Sequence, residues 1–157
     1  MSLLDTLVYE FQKDAFLIST DKSKLDIDLI HDYLSKDSYW AENIPRGIIE
    51  RSIANSLSFG IYHHQTQIGF ARVITNFATY GYLGDVFVLT SYRGQGLSKW
   101  LMHCISNQIP ELQGFRRWSL ATADAHGLYQ QFGFTALARP ERMMEKVNFT
   151  KYNTIFD

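Results

Sequence analysis

Apolar positions along the chain follow a two-residue rhythm in some stretches and a three-to-four-residue rhythm in others. Residues 15–20, AFLIST, are a short apolar run that predicts a first strand. Asp21 or Ser23 then stands where a helix N-cap belongs, ahead of a helix over about 25–36. Within it Ile27, Ile30 and Leu34 share one apolar face, at spacing i, i+3, i+7. A polar and aromatic loop, KDSYWAENIP, leads to a second helix over about 46–55. Strands at 57–62 and 68–76 follow, joined by the polar turn HHQTQ, and another strand spans 81–89. The remaining pattern predicts a helix at 95–108, a strand at 116–122, a helix at 125–132 and strands at 134–138 and 142–148.

Strands that first pair as hairpins and later alternate with helices imply a mixed sheet with helices on both faces. The 157 residues suit one domain, taken as 1–157, and no repeat, low-complexity tract or proline-rich linker divides them. Apolar content of 46% and charged content of 20% are those of a globular chain. A net charge of −1 gives no electrostatic footprint for nucleic acid or an anionic membrane, so neither is expected as a partner. No stretch approaches the roughly 18 apolar residues of a membrane span, and no basic region precedes the first apolar residues. Cys104 is the sole cysteine, which excludes an internal disulfide and points to a reducing, cytoplasmic setting. It shares helical register with Leu97, Leu101 and Ile105, the position of a buried structural thiol.

The chemistry concentrates in residues 85–101, DVFVLTSYRGQGLSKWL. An apolar strand ends in a polar turn, and a glycine-bearing loop opens directly into an amphipathic helix. Gly94 and Gly96 leave backbone N–H groups uncovered at the positive end of the helix dipole, where a phosphate is favoured. The plain alternative is a tight strand-to-helix turn. A P-loop would need G-x-x-x-x-G-K-[ST], and a dinucleotide fold three glycines as G-x-G-x-x-G; neither pattern is present.

What does fit is Arg93-Gly94-Gln95-Gly96-Leu97-Ser98, which resembles the coenzyme A pyrophosphate loop of the GNAT N-acetyltransferases, Q/R-x-x-G-x-G/A. Ser98 departs from the final Gly or Ala but is still small. A second segment, WSLATADAHGLYQQFGF at 118–134, is similar to the family's A-x-x-L-Y-x-x-x-G-F element through Ala125, Leu128, Tyr129, Gly133 and Phe134. The family often has Asn three residues before that alanine, where this chain has Thr122. The resemblance covers residues 14–148. It implies a GNAT-like three-layer α/β (mixed α+β) fold with a central mixed sheet of about six or seven splayed strands. It also implies acetyl-CoA as co-substrate, no metal, and direct transfer of acetyl to a primary amine of a small molecule or of a protein or peptide within a ternary complex. A homodimer is among the partners it allows.

Carried over residue by residue, the resemblance assigns Val86, Phe87 and Val88 to pantetheine through their backbone groups. Arg93, Gly94, Gln95, Gly96, Leu97, Ser98 and Lys99 fall to the pyrophosphate, and His126 to the cofactor side. Tyr129 takes the place of the general acid that protonates the departing thiolate; its other reading is a core-anchoring tyrosine. Asp85, a charge amid apolar residues, is either a base or a partnered structural carboxylate. Asp124 reads as a helix cap or a substrate contact, and His126 as a cofactor neighbour or a solvated histidine. Tyr39, Trp40, Phe77, Tyr80 and Tyr82 form either an aromatic surround for the acceptor or ordinary helix-on-sheet packing. Two rival functions remain: a GNAT-like acyl-CoA sensor without catalysis, and a phosphate-binding α/β protein of another kind.

Overall fold

Six strands pair in chain order into one sheet in the computed structural model, which describes residues 2–153. They are β1 (Glu10–Lys13), β2 (Phe16–Ser19), β3 (Leu57–His63), β4 (Thr66–Thr75), β5 (Tyr80–Val88) and β6 (Arg117–Leu120). Successive pairs are antiparallel, with β6 alone running parallel to its neighbour β5. β1 was not visible in the apolar rhythm, because its residues EFQK are exposed or half-buried. It forms because β2 offers it an edge, pairing Phe11 with Ile18.

The helices are a single turn α1 (Leu3–Thr6), α2 (Ile27–Asp32), α3 (Arg46–Ala54), α4 (Leu97–His103) and α5 (His126–Gln130). α2 and α4 each run on into a wider π turn, Tyr33–Asp37 and Cys104–Gln108. Asp26 caps α2 by accepting from the Leu29 amide at 3.1 Å, the role a short acid plays at a helix start. These helices cover both faces of the sheet. Phe70 and Phe87 face a cluster built with Ile30, Leu34, Ile49 and Ile53 of the α2–α3 side. Their sequence neighbours Ala71 and Val88 face a larger cluster with Leu97 and Leu101 of α4 and Ile105 of its π turn, as strand alternation requires. Cys104 is fully buried there, and burial pushes its thiol up to about 11.

Two departures matter for the site. β5 and β6 pair only from Tyr80–Leu83 against Arg117–Leu120. β5 then continues to Val88 while β6 stops, so the strands part and leave a gap. The second departure is a correction. Residues 134–138 and 142–148, expected as strands, are irregular, with one 3₁₀ turn at Pro140–Arg142. Alternating apolar character fits a strand to a surface, but a strand also needs a neighbouring strand for its backbone groups, and none pairs with this stretch among the described residues. No helix among the described residues is long and apolar enough to cross a membrane.

Candidate active site

The opened end of β5 begins at a bulge. β4 pairs Phe70 with Phe87 and then Arg72 with Gly84, so one residue of β4 faces two of β5, Asp85 and Val86. Asp85 takes up the extra length at φ 54°, a conformation that Asn and Asp tolerate better than most residues. Its carboxylate is fully engaged: Arg72 Nε donates to Oδ2 at 2.6 Å and Trp40 Nε1 donates to Oδ1 at 2.9 Å. The Arg72 and Asp85 side chains are only 17% and 13% exposed, so each neutralises a charge that would be costly alone.

At the far end of β5 the chain turns through Thr90–Tyr92 into the glycine loop. Gly94 and Gly96 have φ of 81° and 79°, and a Cβ at either would meet nothing within 4 Å. Backbone conformation, rather than crowding, therefore demands glycine here. Gly96 stands at the N-cap of α4 and no side chain caps the helix. Hydrogen bonds among the described residues leave the amides of Gly94, Gln95, Gly96, Leu97 and Ser98 without a protein acceptor. Such a cradle fits a pyrophosphate. Leu97 is buried, so only its amide faces the loop, whereas Lys99 is exposed in the first turn. Gln95 is exposed, and its amide donates weakly to the Tyr92 carbonyl at 3.4 Å. Arg93 braces the loop: Nε donates to the Val88 carbonyl at 3.0 Å and Nη2 to Tyr33 Oη at 2.8 Å. Tyr33 in turn stacks on Phe87, with ring centroids 4.0 Å apart.

Between the parted strands lies a cavity of about 600 Å³, lined by Gly84, Asp85 and Val86 on one side, residues 120–125 on the other, and Tyr129. Tyr39, Trp40, Tyr82 and Tyr152 complete its aromatic wall. Phe77 and Tyr80, expected with them, do not line it. Phe77 packs against the larger core, and Tyr80 Oη bonds Ser119 Oγ on β6. The loop after α2 straps the gap from above: Trp40 holds Asp85 on β5, and Tyr39 Oη accepts from the Ala123 amide beyond β6 at 2.8 Å. Two aromatic residues in one loop were legible in the sequence; their polar ends bridging both sides of the cleft were not.

Tyr129 is buried on α5, and burial first, then Tyr39 and Asp124, pushes its phenol up to about 12. It is therefore protonated throughout the neutral range. Gly133, at φ 90°, ends the helix, and the Tyr129 carbonyl accepts from both Phe132 and Phe134 amides at 3.0 and 3.2 Å. That closure is the physical content of the Gly-Phe pair. Thr122 receives the Asp124 and Ala125 amides at 3.4 and 3.1 Å ahead of α5. Asp124, expected as the cap, lines the cavity instead. His126 is exposed at the start of α5 and is not among the cavity residues.

The site thus joins a parted pair of strands, a glycine cradle beyond one of them and a buried tyrosine beside the gap. The sequence profile described as "Acetyltransferase (GNAT) domain" matches residues 54–136. The chain belongs to the GNAT acetyltransferase family. A crystal structure from Xanthomonas campestris pv. campestris, of a protein assigned by its name to GNAT acetyltransferases, is 52% identical. It covers 84% of this chain and 92% of that one, with a TM-score of 0.82. A Gibberella zeae protein with an acetyltransferase name is 29% identical over 73% of this chain and 75% of its own. A Clostridium acetobutylicum protein solved with acetyl-CoA is similar in fold alone, 14% identical over 77% of this chain and 82% of its own, with a TM-score of 0.52.

Proposed function

We propose that this chain transfers the acetyl group of acetyl-CoA to a primary amine, directly and within a ternary complex. The observation that carries this reading is the single edge of β5. Its Gly84–Val86 stretch lines the cavity with Tyr129, and Arg93 ties its last residue, Val88, to the open amides of the glycine loop. The Clostridium acetobutylicum neighbour solved with acetyl-CoA supports the choice of acyl donor.

Acetyl-CoA supplies the activated thioester. The amides of Gly94–Ser98 hold its pyrophosphate, with the exposed Lys99 adding a positive charge. Backbone groups of Val86, Phe87 and Val88 hold the pantetheine, and an amide of this stretch polarises the thioester carbonyl. Alignment of donor and acceptor in one cavity supplies a large share of the rate. The amine nitrogen bonds to the carbonyl carbon, the carbon–sulfur bond breaks, and Tyr129 donates to the sulfur as its charge develops. The ammonium proton leaves to water, and water returns a proton to Tyr129, so the enzyme ends as it began. Asp85, with both oxygens engaged, serves to fix Trp40 and Arg72 rather than to take that proton. His126, outside the cavity, is left to the cofactor side.

A panel of polyamines, amino acids, aminoglycosides and peptide N-termini, read by thiol release and by mass of the product, tests this. Acetylation of one class with release of stoichiometric thiol is the expected result. Calorimetric binding of acetyl-CoA without thiol release for any amine would make the chain a sensor. Nucleotide binding in preference to acetyl-CoA would overturn the reading.

A further inference from the structure

The charged side chains that line the cleft between β5 and β6 are Arg72, Asp85 and Asp124. Arg72 and Asp85 cancel as a close pair, both largely withdrawn from water. Asp124 is left over. It is exposed, its amide reaches Thr122, and its carboxylate has no hydrogen bond or ion pair among the described residues. Neither lysine nor histidine is among the described residues that line the cleft. The described lining therefore carries a net negative charge and no uncommitted positive one.

Aromatic rings in the same lining are uncovered as well. Tyr39 and Trp40 are 58% and 41% exposed, although each is pinned by its polar end, to the Ala123 amide and to Asp85. Core packing would hide such rings; here they are held in place and left open to water. They meet edge to face, with centroids 4.9 Å apart. Tyr129, by contrast, is buried. The cavity thus runs from a buried phenol to an exposed rim of aromatic surface and one carboxylate. Asp124 is still close enough for its charge to help raise the Tyr129 phenol, after burial and Tyr39. A small molecule therefore reaches from one to the other.

Resting on the acetyl-transfer reading, we propose that the acceptor is a dication: a primary amine with a second ammonium on an apolar spacer and no carboxylate or phosphate, selected by Asp124. One nitrogen enters toward Tyr129, loses its proton to water and takes the acetyl group from sulfur. The other keeps its charge at the rim, beside the Asp124 carboxylate and the rings of Tyr39 and Trp40, whose faces attract a cation. An acceptor ending in a carboxylate would bring a like charge to Asp124, and like charges brought together are disfavoured. Exposure keeps each of these contacts weak, so Asp124 sorts acceptors more than it tightens them.

Butylamine, diaminobutane and aminobutanoate share one chain and differ at the far end, which is neutral, cationic or anionic; hexylamine, diaminohexane and aminohexanoate extend the reach. By thiol release, kcat/KM should fall from diamine to alkylamine to aminocarboxylate, by roughly tenfold at each step. Asp124→Asn keeps the shape and removes the charge, so diamine and alkylamine should come within about twofold of each other. Asp124→Glu should keep the wild-type order, and Asp124→Lys should put the aminocarboxylate ahead of the diamine. Ratios within one variant cancel any change in folding or in Tyr129 that all acceptors share. A diamine preference that survives Asp124→Asn overturns the proposal, as does a wild type that prefers the aminocarboxylate, where Arg72 would meet the ligand. Thiol release with amines of another class but with neither diamine overturns it too, and leaves acetyl transfer standing. No thiol release with any amine is the failure of the acetyl-transfer reading itself, and takes this proposal with it.

Discussion

The indole of Trp40 donates to the Asp85 carboxylate at 2.9 Å across 45 positions of sequence, and this bond fixes the strap over the cleft. Its acceptor is the bulged residue of β5, which Arg72 holds from the other oxygen. Trp40, one member of the cavity's aromatic wall, is therefore held by one carboxylate.

Trp40→Phe keeps an aromatic ring but removes the donor. A hydrogen bond to a charged acceptor contributes on the order of 1.5–3 kcal/mol, and Trp40 is 41% exposed, which favours the low end. We expect roughly a tenfold rise in KM for the amine, about 1.4 kcal/mol, with KM for acetyl-CoA unchanged. Asp85→Asn should act differently. It strands the Arg72 guanidinium, and we expect a loss of about 2 kcal/mol or more in thermal unfolding. An undiminished melting temperature would show that Arg72 finds another partner.

Gly96 separates backbone strain from charge. Gly96→Ala puts a Cβ into open space but at φ 79°, costing about 1–2 kcal/mol in the left-handed region. Gly96→Asp adds a negative charge where a phosphate should sit. Calorimetry should show acetyl-CoA affinity reduced several-fold by alanine and nearly abolished by aspartate, with circular dichroism unchanged in both. Equal affinities for the two variants would remove the loop from the anion site.

Tyr129→Phe retains the ring and its edge-on contact with Phe134. Loss of a positioned donor typically costs roughly 10²–10⁴ in rate, so kcat should fall by that order while KM for acetyl-CoA hardly moves. With the phenol pushed up to about 12, Tyr129 should impose no basic limb on the wild-type pH profile below pH 10. A fall of only a few-fold would leave proximity as the main catalytic device.

Alkaline stability follows from three buried acids. Burial pushes Cys104 up from 9.0 to about 11 and Tyr129 from 10.0 to about 12, and it raises Tyr62 as well. Each holds its proton more tightly folded than unfolded. The associated stability is thus complete below the unfolded values and is lost as pH climbs through the folded ones. Melting temperature should stay level to about pH 9 and fall between pH 9 and 12. Each group gives up about 1.4 kcal/mol for every pH unit that separates its unfolded value from its folded one. Tyr62→Phe should soften that fall. Tyr62 Oη has no partner among the described residues and lies 2.3 Å from where a Cβ on Gly60 would stand. Its removal should be neutral or stabilising by about 1 kcal/mol at pH 7.

Local demands of the backbone were written in the sequence. Gly94 and Gly96 between a strand and a helix, and Gly133 after Tyr129, mark positions where the chain must adopt positive φ. Only glycine does so without strain, so these residues and the elements around them could be read one by one. The strands of the central hairpins and the buried face of α4 were legible for a similar reason, since periodicity reports which side of an element meets the core. Tertiary structure decided whatever needed a distant partner. Periodicity cannot say whether a strand finds an edge, so β1 formed without a clear pattern and residues 134–148 kept theirs without forming strands. Nor could it show that Asp85 would be held by Arg72 and Trp40, or that Tyr39 would reach Ala123, 84 positions away. Those bonds join groups that only folding brings together, and they shape the cavity between β5 and β6.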